Sequence, residues 1–288
     1  MAVEAPVRDA GGGVVAHTPK MTAYFTMVAR HPVAQTAAPV HRLAATTPAE
    51  EALLTAGKAR GLQRRERSRA SLDRVPPTEA ERLLVHELYL QTLGPPAGTG
   101  GADAIPMAQT VLEAVRVCQP QEQNIHQKIF GGFLLREAFE LAWANAYLLA
   151  GAHPYFLALD DVTFHRPVEI GSLLHLTATV AFAPGAPSTA IQTRVRADVV
   201  HPATRERHTT NVFHFTFTAS SGTTGGGSGS GDGGPARPRT VRPQSYAEAM
   251  EYLDGRRRLR HGGELAAQHG SQLARYFAFT DAAATGAK

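Results

Sequence analysis

The sequence predicts an α+β fold in which an antiparallel sheet wraps around one long buried helix. Two observations carry that expectation. Residues 130–150 form an apolar run in which Phe133, Leu134, Leu135, Ala138, Phe139, Leu141, Ala142, Trp143, Ala144, Ala146 and Tyr147 leave almost no polar side. A helix apolar nearly all round is a core helix. Four strand-like runs then follow, at 155–166, 172–183, 189–200 and 207–219. In the third run, Ile191, Thr193, Val195, Ala197 and Val199 alternate with Gln192, Arg194, Arg196 and Asp198, and the last run sets Phe213, Phe215 and Phe217 on one face. Such alternation is the mark of a strand, and short joins such as APGAPS at 183–188 favour antiparallel neighbours.

The remaining elements can be read in order. Residues 1–20 are expected to be disordered. Residues 23–30, AYFTMVAR, read as a single strand with no partner before it. Residues 48–75 are polar and arginine-rich around GLQRRERSRASLDR, the composition of a solvated helix or linker. No aromatic residues interleave these arginines, so RNA bases would find no stacking platform and nucleic acid is not an expected partner. Pro76, Pro77 and Thr78 open a helix over 79–93, with Glu79 and Glu81 placed where the helix dipole favours them. Residues 94–105 are a breaker-rich linker, and 108–117 read as a strand. Residues 220–236 are a Gly/Ser-rich flexible insert. A short helix stopped at Gly255 follows, then a tail with weak helical character over 264–279.

Bulk properties exclude several classes. The chain has 288 residues, of which 43% are hydrophobic, enough for a real core. Its one cysteine, Cys118, rules out an internal disulfide and favours a reducing compartment. The net charge of +4 suits an anionic ligand without establishing one. No apolar run reaches the ~20 residues of a membrane span; Arg136, Glu137, Glu140 and Asn145 interrupt the best candidate. The N-terminus, carrying Glu4 and Asp9, shows neither a secretory core nor an import signal. No GxSxG nucleophile motif and no His/Cys metal spacing occur, and no cofactor is expected.

The stretch with chemical promise is NIHQKIFGG, residues 124–132. Glycine weakens a helix, so Gly131 and Gly132 at a helix entrance call for a steric reason. Either they let backbone pack on backbone, or they let a ligand approach the free N–H groups of the first turn. Asn124 could cap the turn before that helix or take part in chemistry. Cys118 reads as an inert small residue, since no His/Asn constellation surrounds it.

Five stretches resemble the mitochondrial acyl-CoA thioesterase 9 group of hotdog-fold thioesterases: MVAR (27–30), CQPQEQNIHQKIFGGFLLREAFELAWA (118–144), DDVTFHRPVEIGSLL (160–174), TTNVFHFTF (209–217) and YAEAMEYLDGRR (246–257). The resemblance implies a hotdog domain over 106–220. It also implies a remnant strand of a first hotdog and a helical connection over 21–105, a Gly/Ser insert over 221–240, and a helical tail over 241–288. It implies hydrolysis of fatty acyl-CoA to free acid and CoA, a mitochondrial location, and pairing of hotdogs into a homo-oligomer. The alternative is a catalytically incomplete acyl-CoA-binding or dimerisation module, because the first hotdog is missing.

In this family an Asn from the loop before the glycine pair works with an acidic residue from the helix of the other hotdog. Asn124 matches the Asn. The acidic position falls seven residues after the second glycine, on Phe139, and its neighbour Glu140 is the candidate acid of this half. Glu140 could equally serve only to pair with Arg136, four residues back. Gly131, Gly132 and Lys128 are the candidate substrate-binding residues, with Arg166, Arg194 and Arg196 also available to a nucleotide. A solvated sheet face is the default expectation for the two strand arginines.

Overall fold

The computed structural model describes residues 2–8, 14–29, 31, 34, 36–93, 104–219, 239–268, 271 and 273–279, with side chains from Thr22 onward. The chain divides into two units, 1–66 and 67–288. In the first, strands β1 (Ala2–Arg8) and β2 (Val14–Thr22) form an antiparallel hairpin. This corrects the expectation of disorder over 1–20: two adjacent strands satisfy each other's backbone groups without needing a strong apolar pattern. Residues 23–29, by contrast, form no strand, and Arg30 lies outside the described residues. Helix α1 (Pro48–Arg69) begins in the first unit and buries no residue, as its polar composition requires. Its start is a capping box: the Glu50 carboxylate accepts from the Thr47 N–H at 3.2 Å, and Thr47 Oγ1 accepts from the Glu50 N–H at 3.3 Å.

The second unit contains helix α2 (Glu79–Leu93), strand β3 (Ala104–Pro106), a 3-10 turn at Met107–Thr110, strand β4 (Leu112–Val117) and helix α3 (Gly131–Ala150). Strands β5 (Pro154–Leu159), β6 (Leu173–Phe182), β7 (Ala190–Val200) and β8 (Arg207–Ala219) follow, then β9 (Thr240–Arg242), helix α4 (Tyr246–Gln268) and helix α5 (Ala274–Phe277). The Gly/Ser insert at 220–236 lies outside the described residues. Five strands make one antiparallel sheet in the order β4-β6-β7-β8-β5, leaving β4 and β5 at its edges. Strand β5 follows α3 directly yet pairs with β8, so the chain crosses the sheet through the helix.

Helix α3 packs on one face of this sheet. Ala138, Ala142 and Ala146, spaced by four residues, are fully buried, and their small side chains let the helix lie close against the strands. Phe213, Phe215 and Phe217 fill the space beneath, as the alternation of β8 predicts. The two polar residues that α3 buries are both satisfied. Glu137 meets Arg116 Nε at 2.6 Å, and Asn145 Nδ2 donates to the Thr110 carbonyl at 2.7 Å. Thr110 also explains why the strand expected from 108 starts at Leu112. Its hydroxyl donates to the Met107 carbonyl and accepts from the Val180 N–H, which closes the 3-10 turn.

The opposite face of the sheet is covered by α4, and here the expectation of a solvated face fails for Arg194, which pairs with Glu251 at 2.7 Å. Arg196 does remain partly exposed, paired with the buried Asp198. The expected stop at Gly255 is also wrong. The helix runs through this glycine because a β-carbon there would stand 2.9 Å from that of Phe182 and 3.1 Å from that of Ala181. Gly255 is a point of close approach, not a helix end. Similarly, the strand expected over 155–166 ends at Leu159, because Asp160 turns to bind Arg258 of α4 at 3.0 Å. No helix among the described residues is long and apolar enough to cross a membrane.

Helix α2 joins this layer through Glu81. Its carboxylate accepts from Arg257 Nε and Nη2, both at 2.6 Å, and from the Thr78 N–H at 2.9 Å. The Arg257 guanidinium, aided by Thr78, holds the Glu81 carboxyl at a pKa of about 2 against an ordinary 4.5. A depressed folded-state pKa adds stability that is complete above the ordinary value and is lost as pH falls towards the folded one. Thermal melts are therefore expected to show an acid-dependent loss between about pH 4.5 and pH 2. In Arg257→Ala that part of the loss shrinks while stability at neutral pH drops. A variant with an unaltered acid profile would remove this pair from the account.

Candidate active site

The loop before α3 is built around Asn124. Its Oδ1 accepts from the N–H groups of His126 at 2.8 Å and Lys128 at 3.2 Å. The Asn124 N–H donates to the Lys128 carbonyl at 2.7 Å, closing a tight turn in which Gln127 adopts φ 56°. The turn is anchored on both sides: the Ile129 N–H donates to the Val168 carbonyl and the Phe130 N–H to the Glu122 carbonyl. Capping and chemistry are thus not exclusive for Asn124. Its oxygen is spent on the turn, while its Nδ2 finds no acceptor among the described residues.

The helix opens immediately afterwards. Phe130 is its N-cap, with no side-chain cap bond. The Phe133 and Leu134 N–H groups reach back to the Phe130 carbonyl, whereas those of Gly131 and Gly132 have no acceptor among the described residues. These are the orphan donors at the positive end of the α3 dipole. Both glycines are in contact with rings. A β-carbon on Gly131 would stand 2.7 Å from Cζ of Phe164, and one on Gly132 would collide with the Phe130 ring. Both rings are more than half exposed, Phe164 at 51% and Phe130 at 58%. The glycines therefore serve close approach, but of aromatic side chains rather than of backbone.

Asn124, Lys128, Gly131 and Gly132 come together at this entrance; Glu140 does not. Nine residues along α3 from Gly131, it lies about 13 Å further down the helix axis at the usual rise per residue. It is exposed and sits 3.9 Å from Arg136 Nε, the pairing that formed the alternative reading. The Lys128 ammonium is held by both carboxylate oxygens of Glu169 at 2.6 Å. Phe139, the position on which the resemblance sets the acid, packs edge-on to Phe156 and Phe215 with ring centroids 5.6 and 5.7 Å away. A carboxylate in that aromatic cluster would face desolvation.

Phe139, Glu140, Trp143, His153, Pro154, Tyr155 and Phe156 line a groove of about 380 Å³ along the β5 edge. Sequence reasoning missed this groove and the rings over the glycines. Phe164 falls in the run expected as a strand over 155–166, so nothing in the sequence marked it as a loop residue resting on the glycines.

Cys118 is buried, and burial, reinforced by the charge of Glu137, pushes its thiol up to about 11. The native protein is expected to resist alkylation by iodoacetamide at pH 8 and to react only once unfolded. Stoichiometric labelling of folded protein would contradict this.

A central helix gripped by an antiparallel sheet, with a polar loop and paired glycines at its entrance, is the hotdog architecture. An acyl-CoA hydrolase from Staphylococcus aureus superposes with a TM-score of 0.50 at 22% identity, covering 61% of this chain and 99% of its own; at that identity the likeness concerns the fold. No family profile matches the chain. Its relatives in sequence include mitochondrial acyl-CoA thioesterases. Acyl-coenzyme A thioesterase 10, mitochondrial, of Mus musculus is 38% identical over 244 residues, covering 83% of this chain and 52% of its own. Acyl-coenzyme A thioesterase 9, mitochondrial, of Homo sapiens is 37% identical over 244 residues, with the same coverage. The chain spans about half the length of the curated relatives it matches.

Proposed function

We propose that this hotdog contributes half of an acyl-CoA thioesterase site, hydrolysing acyl-CoA to free acid and CoA. The observation that carries the reading is the cluster of unspent donors at the α3 entrance: Asn124 Nδ2 and the N–H groups of Gly131 and Gly132. Thioester hydrolysis passes through a tetrahedral oxyanion, and donors fixed in advance around that oxygen lower the barrier. With its oxygen committed to the turn, Asn124 serves as a donor to the carbonyl and not as a base.

The base comes from elsewhere in this reading. Within its own chain Glu140 is exposed, paired with Arg136 and about 13 Å down the helix from the entrance, too far to serve its own Asn124, and Phe139 has no carboxylate. A second hotdog brought against the β5 edge, beside the aromatic groove, supplies the acid and buries Tyr155 and Phe156. The β5 edge leaves backbone groups open to pairing. The names of the relatives support a mitochondrial location.

Purified protein offered a panel of acyl-CoAs, with release of free thiol recorded, tests the reading. Turnover of at least one chain length is expected once this chain is paired with a hotdog that carries a carboxylate at the Phe139 position, and none from that pair would sink it. In the same assay Glu140→Ala is expected to keep activity to within about twofold. A loss of a hundredfold or more would make this glutamate the base after all.

A further inference from the structure

The loop carrying Phe164 is fastened on both sides of that residue. The Thr163 carbonyl accepts from Asn211 Nδ2 at 2.9 Å, and the His165 N–H donates to the Thr210 carbonyl at 3.2 Å. Further back, the Asp160 N–H donates to the His214 carbonyl at 3.1 Å, and the Asp160 carboxylate holds Arg258 at 3.0 Å. Asn211, which is fully buried, has no freedom to follow a moving loop. A segment pinned at these points does not swing as a lid.

The Phe164 side chain is a different matter. It is 51% exposed and meets the ring of Phe213 edge-on at 6.5 Å between centroids. It rests where Gly131 has no side chain, in a seat that a β-carbon would abolish. An exposed ring on a fixed backbone changes rotamer quickly and at small cost.

We propose that Phe164 is a side-chain gate for the α3 entrance, whose ring leaves its seat on Gly131 when an acyl thioester approaches the donors there. The inference rests on the thioesterase reading for the identity of the ligand. In the free protein the ring occupies the seat and competes with the ligand. The apparent affinity is then the intrinsic affinity scaled by the fraction of molecules with the ring displaced. The gate acts on binding and not on the chemical step, so Phe164 controls access and is not a catalytic residue.

The test measures the full chain in two ways: calorimetric binding of a thioether analogue of acyl-CoA, which no hydrolase cleaves, and steady-state hydrolysis of the matching thioester. In Phe164→Ala the Kd and KM are expected to fall about fivefold with kcat held within about twofold, as for a change in ground-state access alone. Phe164→Trp, with a larger ring, is expected to raise both. A Kd in Phe164→Ala that is unchanged or weaker overturns the gate, as does failure of both proteins to bind the analogue. If the alanine variant binds the analogue more tightly while no form releases thiol, the gate stands and the hydrolase reading falls. Thermal melts check folding; the half-exposed ring leaves little packing to lose.

Discussion

Asn124→Ala is expected to lower kcat for acyl-CoA hydrolysis by roughly a hundred- to a thousandfold, the usual consequence of deleting one oxyanion donor. Alanine alone would be ambiguous, because it also deletes the acceptor that closes the turn onto His126 and Lys128. Asn124→Asp resolves this. The carboxylate keeps an oxygen for those two N–H groups but replaces the Nδ2 donor with a second acceptor, and it sets a negative charge where an oxyanion must form. Aspartate is therefore expected to melt like the parent protein and yet lose as much activity as alanine. An aspartate variant with near-parental kcat would confine Asn124 to holding the turn.

Phe215→Ala is expected to cost about 3–5 kcal/mol of folding stability, the range for deleting a buried aromatic ring. The ring is 1% exposed and lies between Phe213 and Phe217 on β8, each 6.2 Å away between centroids. Phe139 of α3 meets it edge-on at 5.7 Å, so its loss opens a void at the junction of helix and sheet. Neighbours on a fixed strand collapse poorly into such a void. Denaturant unfolding of the full chain reads the effect directly. A loss under about 1 kcal/mol would mean that the core relaxes far more than this packing allows.

That packing was the part of the fold most legible from sequence. Strand β8 is legible over 207–219 because Phe213, Phe215 and Phe217 alternate, and α2 over 79–93 because Pro76, Pro77 and Thr78 open it and Glu79 and Glu81 suit the dipole of its first turn. Both signals lie within a few residues of the element they define. The errors came where a distant partner decides. Strand β5 stops short because Asp160 answers to Arg258, and α4 continues because Gly255 fits against Phe182. No window of local periodicity contains either pair. The same distinction runs through the candidate site. Asn124 and the glycines are close in sequence and meet in space, while Phe164, which covers Gly131, arrives from a separate loop. Glu140, close in sequence, is carried away by the rise of the helix it belongs to.

The clasp between Glu81 and Arg257 joins residues 176 positions apart, and strand β3 likewise finds its parallel partner only in β9. During synthesis, α2 and β3 therefore leave the ribosome long before their partners exist. They stay exposed while the sheet assembles and are locked down only once α4, beginning at Tyr246, has emerged. Folding of the second unit thus fastens an early segment to a late one, and a nascent chain halted before Tyr246 would display α2 to chaperones.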